Sequence, residues 1–538
     1  MNRRNLSACL LFFFSACIFG WLLSDRGKTA HLSAYFRPSD ELYDFIGGAK
    51  ATTEPLIKDI RFNDYSLFFD DDASTFYYSL VEKASNAYDP LVQIHCRSEN
   101  VKVLIIGEPI TLQTIEQNIP LRIFASDGKQ YREYRVVCTT LPLLKIDSDI
   151  VLFEGKGKDQ EMQMMLFDNR ADVRQRLLGF SGLIHLRGNS TLYYPKKNYK
   201  MTIHQVSPGN NLREADLSLL GMDRHDGEWL LYSAYNDQER IRNVFSTNLW
   251  DLSSAGKNKY GIRNGMQYRF VEMFLNGKYH GLYALGYPLD TKQMTPLYHT
   301  DEVKNIYLYK KIFWNEIFTE TENDKILPDY ELRGLKDSAD EEKIRLLLSE
   351  YIRSMDNGFP EGSRILPDME NAIDTWLFVN LVQGMDIVRP DGDFYNMFLT
   401  LVLTDGISVM LYTPWDFDMT WGNFWLSDAV NYTLEYELSP CDNSYVMYNN
   451  PAQLLLPDDA AQIADRYAEL RNSVWQEDFL MGMLGDFENQ IFNSGAYLRD
   501  VDRWPDSTQE DPELKLKLFS AYVKNRLACM DIYISQLN

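Results

Sequence analysis

Strand-like and helix-like segments are unevenly distributed along this chain, and their order narrows the possible folds. From residue 33 to about 145, short β-branched and aromatic runs alternate with turns, and strand-like runs continue to an Asn276–Gly277 hairpin pattern. Beyond residue 335 the pattern is mainly helical, interrupted by a second hairpin pattern at 397–412. A mainly β half followed by a mainly helical half predicts an α+β protein. Because 538 residues exceed what one core accommodates, we expect two or three folded units.

Three segments are predicted from this distribution. Residues 1–30 are predicted to form a signal anchor or signal peptide, residues 31–145 an all-β domain, and residues 146–538 the larger domain. Short strands at regular spacing and the Asp127–Gly128 turn favour an immunoglobulin-like sandwich for the second segment. Hydrophobic residues make up 45% and charged residues 24% of the chain, which excludes wholesale disorder.

The N-terminal segment predicts the compartment. Arg3 and Arg4 precede an uncharged stretch from residue 5 to 24, close to the roughly 20 residues that a membrane span needs. Positive charge ahead of such a span places the N-terminus in the cytoplasm and the remainder outside. An uncleaved anchor is the first interpretation, a cleaved signal peptide the second, and lipidation at Cys17 the third. In each case the body is predicted to be extracytoplasmic, either anchored to the membrane or secreted.

Charge and histidine content exclude several functions. Lys and Arg number 54 against 77 Asp and Glu, giving a formal net charge of -23. A chain this acidic does not bind nucleic acid through its overall field, so a phosphate-bearing ligand needs a local basic cluster. All seven His residues precede residue 300, which excludes histidine chemistry from the rest of the chain.

Cysteine positions leave the disulfide pattern open. Cys96 and Cys138 each end a strand-like run in the predicted β-domain. They could form a disulfide across that domain, or both could be buried thiols. Cys441 and Cys529 are too isolated in the sequence to assign.

The first candidate for chemistry is basic. The run 187–191, Arg-Gly-Asn-Ser-Thr, precedes Pro-Lys-Lys-Asn-Tyr-Lys at 195–200. A small-residue turn between strands exposes backbone N–H groups, and a basic cluster beside it can pair with phosphate oxygens. The alternative is a solvated hairpin that carries surface lysines.

A second candidate surrounds a predicted helix at 238–253. Asp237 can cap this helix, which would then open with Arg240 and Arg242 in its first turns. Cations at a helix N-terminus oppose the helix dipole unless an anion is near. The segment therefore indicates either a functional site with an anion near the helix N-terminus or ordinary capping with surface arginines.

The third candidate is acidic. Asp386, Asp391 and Asn396 follow a predicted helix, and Asp416 and Asp418 follow the next hairpin. Their oxygens are hard ligands that suit Mg²⁺ or Mn²⁺. Protein kinases combine a catalytic Asp, an Asn five residues later and a metal-binding Asp on the next hairpin. If the last segment is a strand, the two Asp share one face and the residue between them packs into the core. The alternative is that one Asp caps a turn and the other is solvated.

Taken in order, four motifs resemble those of a known family. They are Arg-Gly-Asn-Ser-Thr with Pro-Lys-Lys-Asn-Tyr-Lys at 187–200, Asn-Asp with Ile-Arg-Asn at 236–243, the hairpin at 270–283 containing Asn-Gly-Lys-Tyr-His-Gly-Leu-Tyr, and Pro-Trp-Asp-Phe-Asp-Met-Thr-Trp-Gly at 414–422. The sequence is similar in these motifs to the CotH family, the spore-coat-protein-H kinases. The resemblance implies an atypical protein-kinase-like fold that uses ATP and Mg²⁺ or Mn²⁺ to phosphorylate secreted or cell-surface proteins, spore coat proteins included.

The resemblance also implies roles for individual residues. Phosphates of the nucleotide would be contacted by a basic set: Arg187, Lys197, Lys200 and Arg242. The metal would be held by Asn396, Asp416 and Asp418. The catalytic residue is left open, because proximity to the helix favours Asp386 and spacing favours Asp391. The implied partners are therefore a protein substrate and a nucleotide.

One departure from the family pattern keeps other functions open. The family's hairpin is often followed by a Glu, whereas Gly-Tyr-Pro stands here at 286–288. This difference allows a catalytically degenerate, kinase-like binding module at the cell surface. Transfer of another group from ATP, such as AMP, is a further alternative, and glycosyl transfer through the Asp-Phe-Asp run is the last.

Overall fold

The computed structural model describes residues 29–81, 87–149, 158–206, 212–311, 330–333, 341–387, 395–423, 439–441, 460–507 and 512–537. The chain divides into two compact units, one running to Leu143 and including Asn493–Gly495, the other comprising Leu144–Phe492 and Ala496–Asn538. None of the helices within the described ranges combines the length and the apolar character that crossing a bilayer requires. The predicted N-terminal anchor falls on residues 1–28, which lie outside those ranges.

The first unit is built mainly from strands. These are β1 (Ala30–His31), β2 (Lys50–Ala51), β3 (Ile57–Phe62), β4 (Tyr65–Ser66), β5 (Phe68–Asp70), β6 (Thr75–Ser79), β7 (Ala87–Tyr88), β8 (Leu91–Cys96), β9 (Lys102–Ile106), β10 (Ile110–Thr111), β11 (Leu121–Ser126) and β12 (Gln130–Thr139). Two short helices accompany them, α1 (Glu41–Ile46) and α2 (Leu112–Glu116). The strands form a sheet β1–β8–β3–β4, a pair β10–β7, and a sheet β5–β6–β12–β11–β9 with β2 beside β12.

Alternation of apolar residues places the core of this unit between its two larger sheets. On β3, Ile57, Ile60 and Phe62 are buried. The Phe62 ring lies 5.3 Å from that of Tyr78 on β6, measured between centroids, so the two sheets share one core. Since β6 and β2 both pair parallel to β12, the connectivity is not purely that of antiparallel hairpins. The mainly β character is confirmed, while the immunoglobulin-like arrangement is not and stays a prediction.

The two cysteines of the first unit do not form the disulfide considered above. Cys96 ends a strand of the four-stranded sheet and Cys138 lies in the six-stranded sheet, and both are free thiols. A disulfide instead joins Cys441 to Cys529, which are 88 residues apart in the chain. Of the two alternatives that the sequence left open, the free thiols are found, with Cys138 buried and Cys96 half-buried.

The second unit contains the remaining strands and the longer helices. Its strands are β13 (Leu143–Ser148), β14 (Gln160–Phe167), β15 (Leu177–Arg187), β16 (Asn198–Val206), β17 (Leu212–Glu214), β18 (Glu228–Tyr232), β19 (Tyr268–Leu275), β20 (Lys278–Gly286), β21 (Val303–Lys311), β22 (Tyr330–Arg333), β23 (Ile365–Pro367), β24 (Met397–Thr404) and β25 (Ser408–Pro414). Its helices are α3 (Arg242–Ser253), α4 (Glu341–Asn357), α5 (Met369–Val382), α6 (Ala460–Arg471), α7 (Glu477–Phe487), α8 (Ala496–Arg503) and α9 (Pro512–Ser535). The predicted α+β class is confirmed.

An eight-stranded sheet organises the first half of this unit. Its order is β15–β14–β13–β19–β20–β18–β16–β17, and pairing of β15 with β16 closes the sheet on itself. The β19–β20 hairpin turns at Asn276 and Gly277, both with positive φ, as the Asn-Gly pattern predicts. Large apolar side chains such as Tyr199 and Met201 fill its interior.

A five-stranded sheet, ordered β22–β21–β24–β25–β23, packs against the same core. Leu308 of β21 and Phe398 of β24 belong to the cluster that contains Ile184 and Met201 of the larger sheet. Helix α5 packs on β25, where the Asn371 side chain donates to the Tyr412 carbonyl at 3.0 Å. This packing places the C-terminal end of α5 beside the ends of β24 and β25.

Helix α3 begins later than the predicted residue 238. Arg240 has φ +66°, in the left-handed region, so the helix cannot start before it. The Asp237 carboxylate accepts a hydrogen bond from the Arg242 backbone N–H at 2.6 Å, and the helix begins at Arg242. The prediction of a helix with Arg240 in its first turn is therefore wrong, although Asp237 does satisfy an N-terminal N–H group.

A buried ion triad joins helix α8 to the closed sheet. The Asp500 carboxylate lies 2.7 Å from Lys196 Nζ and 3.0 Å from Arg240 Nε, and all three side chains are fully buried. The same carboxylate accepts the Leu282 backbone N–H at 2.9 Å. Burial lowers the pKa of the Lys196 ammonium to about 8, with Asp500 opposing the shift, so the lysine is still charged at pH 7.

Gly281 is required for this contact. Its φ is +115°, and a Cβ there would lie 2.4 Å from Asp500 Oδ1. We therefore expect Gly281→Ala to destabilise the second unit by about 1–3 kcal/mol, the usual cost of a strained backbone position. Gly485→Ala is the matched control, because Gly485 lies in helix α7 with no atom within 4 Å of the added Cβ. It should stabilise by about 0.5–1 kcal/mol, and equal denaturant midpoints for the two variants would contradict this account.

Candidate active site

The acidic candidate residues meet where α5, β24 and β25 end. Asp386 lies in the turn after α5, and Asn396 immediately precedes β24. The Trp415 N–H donates to the Asn396 carbonyl at 3.0 Å, which aligns the two strand ends. The structure therefore brings Asp386 and Asn396 beside the turn that carries Asp416 and Asp418.

Asp386 and Asn396 contact each other directly. Asn396 Nδ2 donates to Asp386 Oδ2 at 2.8 Å and to the Asp386 carbonyl at 3.1 Å. Burial and the charge of Asp416 raise the pKa of the Asp386 carboxyl to about 7, while the Asn396 hydrogen bond opposes the shift. A carboxyl with a pKa near neutrality can exchange a proton at physiological pH.

Asp416 is the most strained of the four residues. Its φ is +65°, so β25 has ended and the segment is not a strand. Its half-buried carboxylate accepts no hydrogen bond from any residue in the described ranges. Burial raises the pKa of this carboxyl, although the charges of Arg187 and Lys310 act against the shift. A non-glycine residue in this conformation is costly and is often found at functional sites.

Asp418 is buried in the same turn. Its carboxylate accepts a hydrogen bond from Asn236 Nδ2. Burial raises its pKa well above the ordinary value, and the neighbouring Asp416 and Asp386 charges add to the effect. The Phe417 N–H between the two Asp donates to Asn243 Oδ1 at 3.0 Å, and the Phe417 ring is fully buried. The predicted core position of Phe417 is confirmed, but the predicted strand is wrong because the backbone turns at Asp416.

Two cations flank Trp415 at the edge of this cluster. Lys310 Nζ lies 3.9 Å from the centroid of the Trp415 ring, and Arg187 Cζ lies 5.9 Å from it. Arg187 ends β15 just before Gly188, whose φ is +107°. A Cβ at Gly188 would lie 1.8 Å from Thr191 Oγ1, which explains why a glycine follows this arginine.

The predicted lysines lie in other contacts. Lys197 is buried, and its Nζ donates to the Leu192 carbonyl at 2.5 Å. Lys200 lies on β16, where its Nζ is 2.5 Å from Glu228. These two contacts do not involve Asp386, Asn396, Asp416 or Asp418. Their predicted binding of nucleotide phosphates stays a prediction.

Arg242 and Asp391 complete the predicted set. The Arg242 guanidinium is buried, lies 3.2 Å from Asp237 and also contacts Glu239. Its charge is thus compensated within the fold, and its predicted phosphate contact is not tested. Asp391, the alternative catalytic residue, falls in 388–394, outside the described residues.

A second acidic group differs from the candidate site. Glu214, Asp226 and Glu228 each have a carboxylate oxygen within 4.8 Å of the others. Among the described residues, Asp386, Asp416 and Asp418 do not meet this spacing. Lys292 Nζ lies 2.6 Å from Glu214 and 3.2 Å from Asp226, and Lys200 pairs with Glu228. This group is therefore a neutralised ion-pair network.

A cavity of about 590 Å³ lies between α3, β19 and α7. Its lining includes Leu252, Arg269, Phe479 and Asp486, and none of the predicted site residues. We therefore place the candidate site at the acidic residues, because of their chemistry, and not at this cavity.

Sequence reasoning missed Lys310, since no motif contains it and only the pairing of β21 with β24 brings it to Trp415. It also missed Glu272, which forms a buried ion pair with Arg499 at 2.6 Å. A charged residue in the middle of the apolar run 270–275 was the available signal for that pair. Asn236 was noted as part of a motif but not as a contact of Asp418.

The fold and the motifs agree with the comparison to protein families. Residues 184–530 match the CotH kinase protein family, a range that covers most of the second unit. The chain belongs to the CotH kinase family, and it has a CotH kinase-like domain. No curated protein matches the chain.

The donor set fits a divalent metal ion. Three carboxyl groups with raised pKa values and one amide are hard oxygen donors, which Mg²⁺ and Mn²⁺ prefer. Among the described contacts, the Asp416 carboxylate accepts no hydrogen bond, and it lies close enough to Asp386 and Asp418 for its charge to raise their pKa values. A cation beside it would relieve the repulsion that raises these pKa values.

Proposed function

We propose that this chain is an ATP- and metal-dependent phosphotransferase that acts on extracytoplasmic or cell-surface proteins, spore coat proteins included. The unpaired Asp416 carboxylate, held on a strained backbone beside Asp386 and Asp418, is the observation that carries the proposal. Family membership supports a kinase-like protein. The arrangement of Asp386, Asn396, Asp416 and Asp418 supports positioning and electrostatic catalysis, which dominate phosphoryl transfer.

Each residue has a proposed role. Asp416, Asp418 and Asn396 would hold Mg²⁺ or Mn²⁺, which when bound supplies positive charge to the transferring phosphate. Asp386 would accept the proton of the substrate hydroxyl, because its pKa of about 7 leaves part of it ionised at neutral pH. Asn396 would hold the Asp386 carboxylate in place through the 2.8 Å hydrogen bond.

The disulfide supports the proposed location. Cys441–Cys529 links the segment before α6 to helix α9. Disulfides persist in oxidising compartments and are rare in the cytosol. The bridge is therefore consistent with a body outside the cytoplasm, whether anchored or secreted.

Mass spectrometry tests the reaction itself. The purified chain would be incubated with Mg²⁺ and ATP and searched for added mass on itself and on co-purified surface proteins. Added phosphate supports the proposal, whereas added AMP would replace it by nucleotidyl transfer. Binding of ATP without any added mass would favour a kinase-like binding module.

We expect Asp416→Ala to abolish stabilisation by Mg²⁺–ATP while leaving the fold intact. The substitution removes a carboxylate that repels its neighbours, so the apo melting temperature should not fall. A ligand at about 100 Kd stabilises the wild type by about 2.7 kcal/mol, which a thermal shift measures readily. Asp405→Ala is the control, since Asp405 is exposed and pairs with Lys304 at 2.8 Å. A full shift in Asp416→Ala, or none in the wild type, would remove the metal site from the proposal.

A further inference from the structure

The C-terminal end of helix α5 determines where Asp386 lies. Val382 is the last residue of the helix, and Gln383 follows it with φ +51°, in the left-handed region. A non-glycine residue in this conformation is strained and persists only where its surroundings hold it. Asp386 comes three residues after Gln383, and the intervening Gly384 N–H donates to the Val379 carbonyl at 3.1 Å. Contacts that hold Gln383 therefore also hold the turn that carries Asp386.

The side chain of Gln383 is held from two sides. The Tyr522 hydroxyl on helix α9 donates to Gln383 Oε1, and Gln383 Nε2 donates to the Ser439 carbonyl at 3.1 Å. Since Gln383 is buried, losing either of these partners is costly. Tyr522 also packs against the turn after Asp418, because a Cβ at Gly422 would lie 2.6 Å from the Tyr522 ring. Tyr522 thus contacts both segments that carry the acidic residues.

Arg526 lies one turn further along α9 and joins the same elements. Its Nε donates to the Leu381 carbonyl at 3.2 Å, and its Nη2 donates to the Asn380 carbonyl at 2.5 Å. The last carbonyls of a helix have no partner within the helix, and a cation stabilises that end. The Arg526 Nη1 donates to the Pro440 carbonyl at 2.8 Å. This fully buried side chain therefore holds the end of α5 and the segment 439–441 together.

The Cys441–Cys529 disulfide closes this cluster covalently. Cys529 lies on α9 one turn beyond Arg526, and Cys441 follows Pro440. Cys441 is exposed and Cys529 is half-buried, so a reductant in solution can reach the bond. A dithiol reductant supplies two electrons and two protons, which gives two Cys thiols and leaves the reductant as a cyclic disulfide. After reduction, hydrogen bonds such as that from Arg526 would still join the segment 439–441 to α9, but this covalent bond would not.

We propose that Tyr522, Arg526 and the neighbouring disulfide form a clamp. By holding Gln383, the clamp positions the Asp386 carboxylate for the reaction. Its members are positioning residues, because they act through the end of α5. The effect on the reaction rate rests on the proposed phosphotransferase function, whereas the effect on the end of α5 does not. The clamp makes the activity dependent on an oxidising environment, because reduction of the disulfide loosens the turn that carries Asp386.

Hydrogen exchange tests the clamp without an assay of activity. The full-length protein would be compared before and after reduction by dithiothreitol, with the double variant Cys441→Ser/Cys529→Ser in parallel. The Gly384 N–H should exchange about 10-fold faster or more once the bond is absent, given the usual contribution of a disulfide. Amides of the β19–β20 hairpin are the internal control and should keep their exchange rates. The double variant should exchange like the reduced protein and should not respond to the reductant.

Steady-state kinetics test the effect on the reaction, with the phosphate acceptor that mass spectrometry identifies. Reduction should lower kcat about 10- to 100-fold, the cost of a small misplacement, while KM for ATP stays within about 2-fold. Reoxidation should restore kcat in the wild type. Tyr522→Phe removes one hydroxyl and should lower kcat about 3- to 10-fold. Tyr533→Phe is the matched control on the same helix, since it keeps the ring that stacks on Trp376 at 6.1 Å, and it should leave kcat unchanged.

The outcomes separate this inference from the proposed function. If the wild type transfers no phosphate, the proposed function fails, and exchange at Gly384 alone decides whether the clamp holds the end of α5. If the wild type is active and the reduced protein keeps its kcat, the positioning role is overturned while the function stands. Equally faster exchange at Gly384 and in the β19–β20 hairpin would show a general loss of stability and would also overturn it. A rise in KM for ATP at constant kcat would contradict the positioning of Asp386 in the same way.

Discussion

Asp500→Ala is expected to destabilise the second unit by about 3–5 kcal/mol, because it leaves two buried cations without their shared carboxylate. It also removes the acceptor of the Leu282 N–H in the β20 strand. Denaturant unfolding monitored by tryptophan fluorescence would measure the loss. A variant that does not fold in soluble form would agree with the expectation.

Asp502→Ala provides the matched control, since Asp502 is exposed on the same helix two residues away. It should change the unfolding free energy by less than about 0.5 kcal/mol. If Asp500→Ala were as stable as Asp502→Ala, the triad would not stabilise the contact between α8 and the closed sheet.

The triad also has a defined pH dependence. Burial opposes ionisation of Asp500, but the charges of Lys196 and Arg240 outweigh burial and hold its pKa below the usual range. The folded pKa is thus lower than the unfolded value of about 3.9. The stabilisation is complete above the unfolded pKa and is lost as the pH falls through the folded pKa. Acid unfolding of the wild type should therefore be steeper below about pH 4 than that of Asp500→Asn.

Asp386→Asn is expected to reduce the rate of phosphate transfer by about 10²–10⁴-fold, the usual contribution of a general base. Mg²⁺–ATP binding should be retained, because the metal is assigned to Asp416, Asp418 and Asn396. Burial and the Asp416 charge raise the Asp386 pKa to about 7 without metal, and a bound cation lowers it, so the wild-type rate should increase with pH to a plateau reached at or below neutrality. The variant should lack this increase. Single-turnover assays at several pH values would measure both effects.

Asp391→Asn decides between the two candidate bases. If Asp391 were the base, this variant would show the large loss and Asp386→Asn would be nearly normal. Loss of activity in neither variant would exclude both carboxyls as the base, and loss of ATP binding in Asp386→Asn would place that residue in the metal site instead.

Several features of the fold could be predicted because they depend on local spacing. The Asn276–Gly277 hairpin formed as expected, since both turn residues adopt the positive φ that this dipeptide tolerates. Asp386 after α5, and Asp416 and Asp418 after β25, could be found because each follows an element with a clear periodicity. Phe417 was placed in the core from strand alternation; the core position is confirmed, although the segment is a turn and not a strand.

Other features could not be predicted because long-range packing decides them. Arg240 adopts a positive φ and meets Asp500, so the helix expected from 238 starts at Arg242. The Cys441–Cys529 pairing depends on which segments lie beside α9, and no local pattern encodes it. The same holds for Lys310, which reaches Trp415 only through the pairing of β21 with β24.

The sequence by itself determined the family, the α+β class and the acidic residues of the candidate site, since motifs and periodicity are properties of neighbouring residues. The tertiary structure alone decided which charges lie near the candidate site. Lys196, Lys200 and Arg242 form ion pairs elsewhere in the fold, and Lys197 donates to the Leu192 carbonyl, whereas the charges of Arg187 and Lys310 act on Asp416. The physical reason is that electrostatic interaction depends on distance through space and on burial, and neither follows from spacing along the chain.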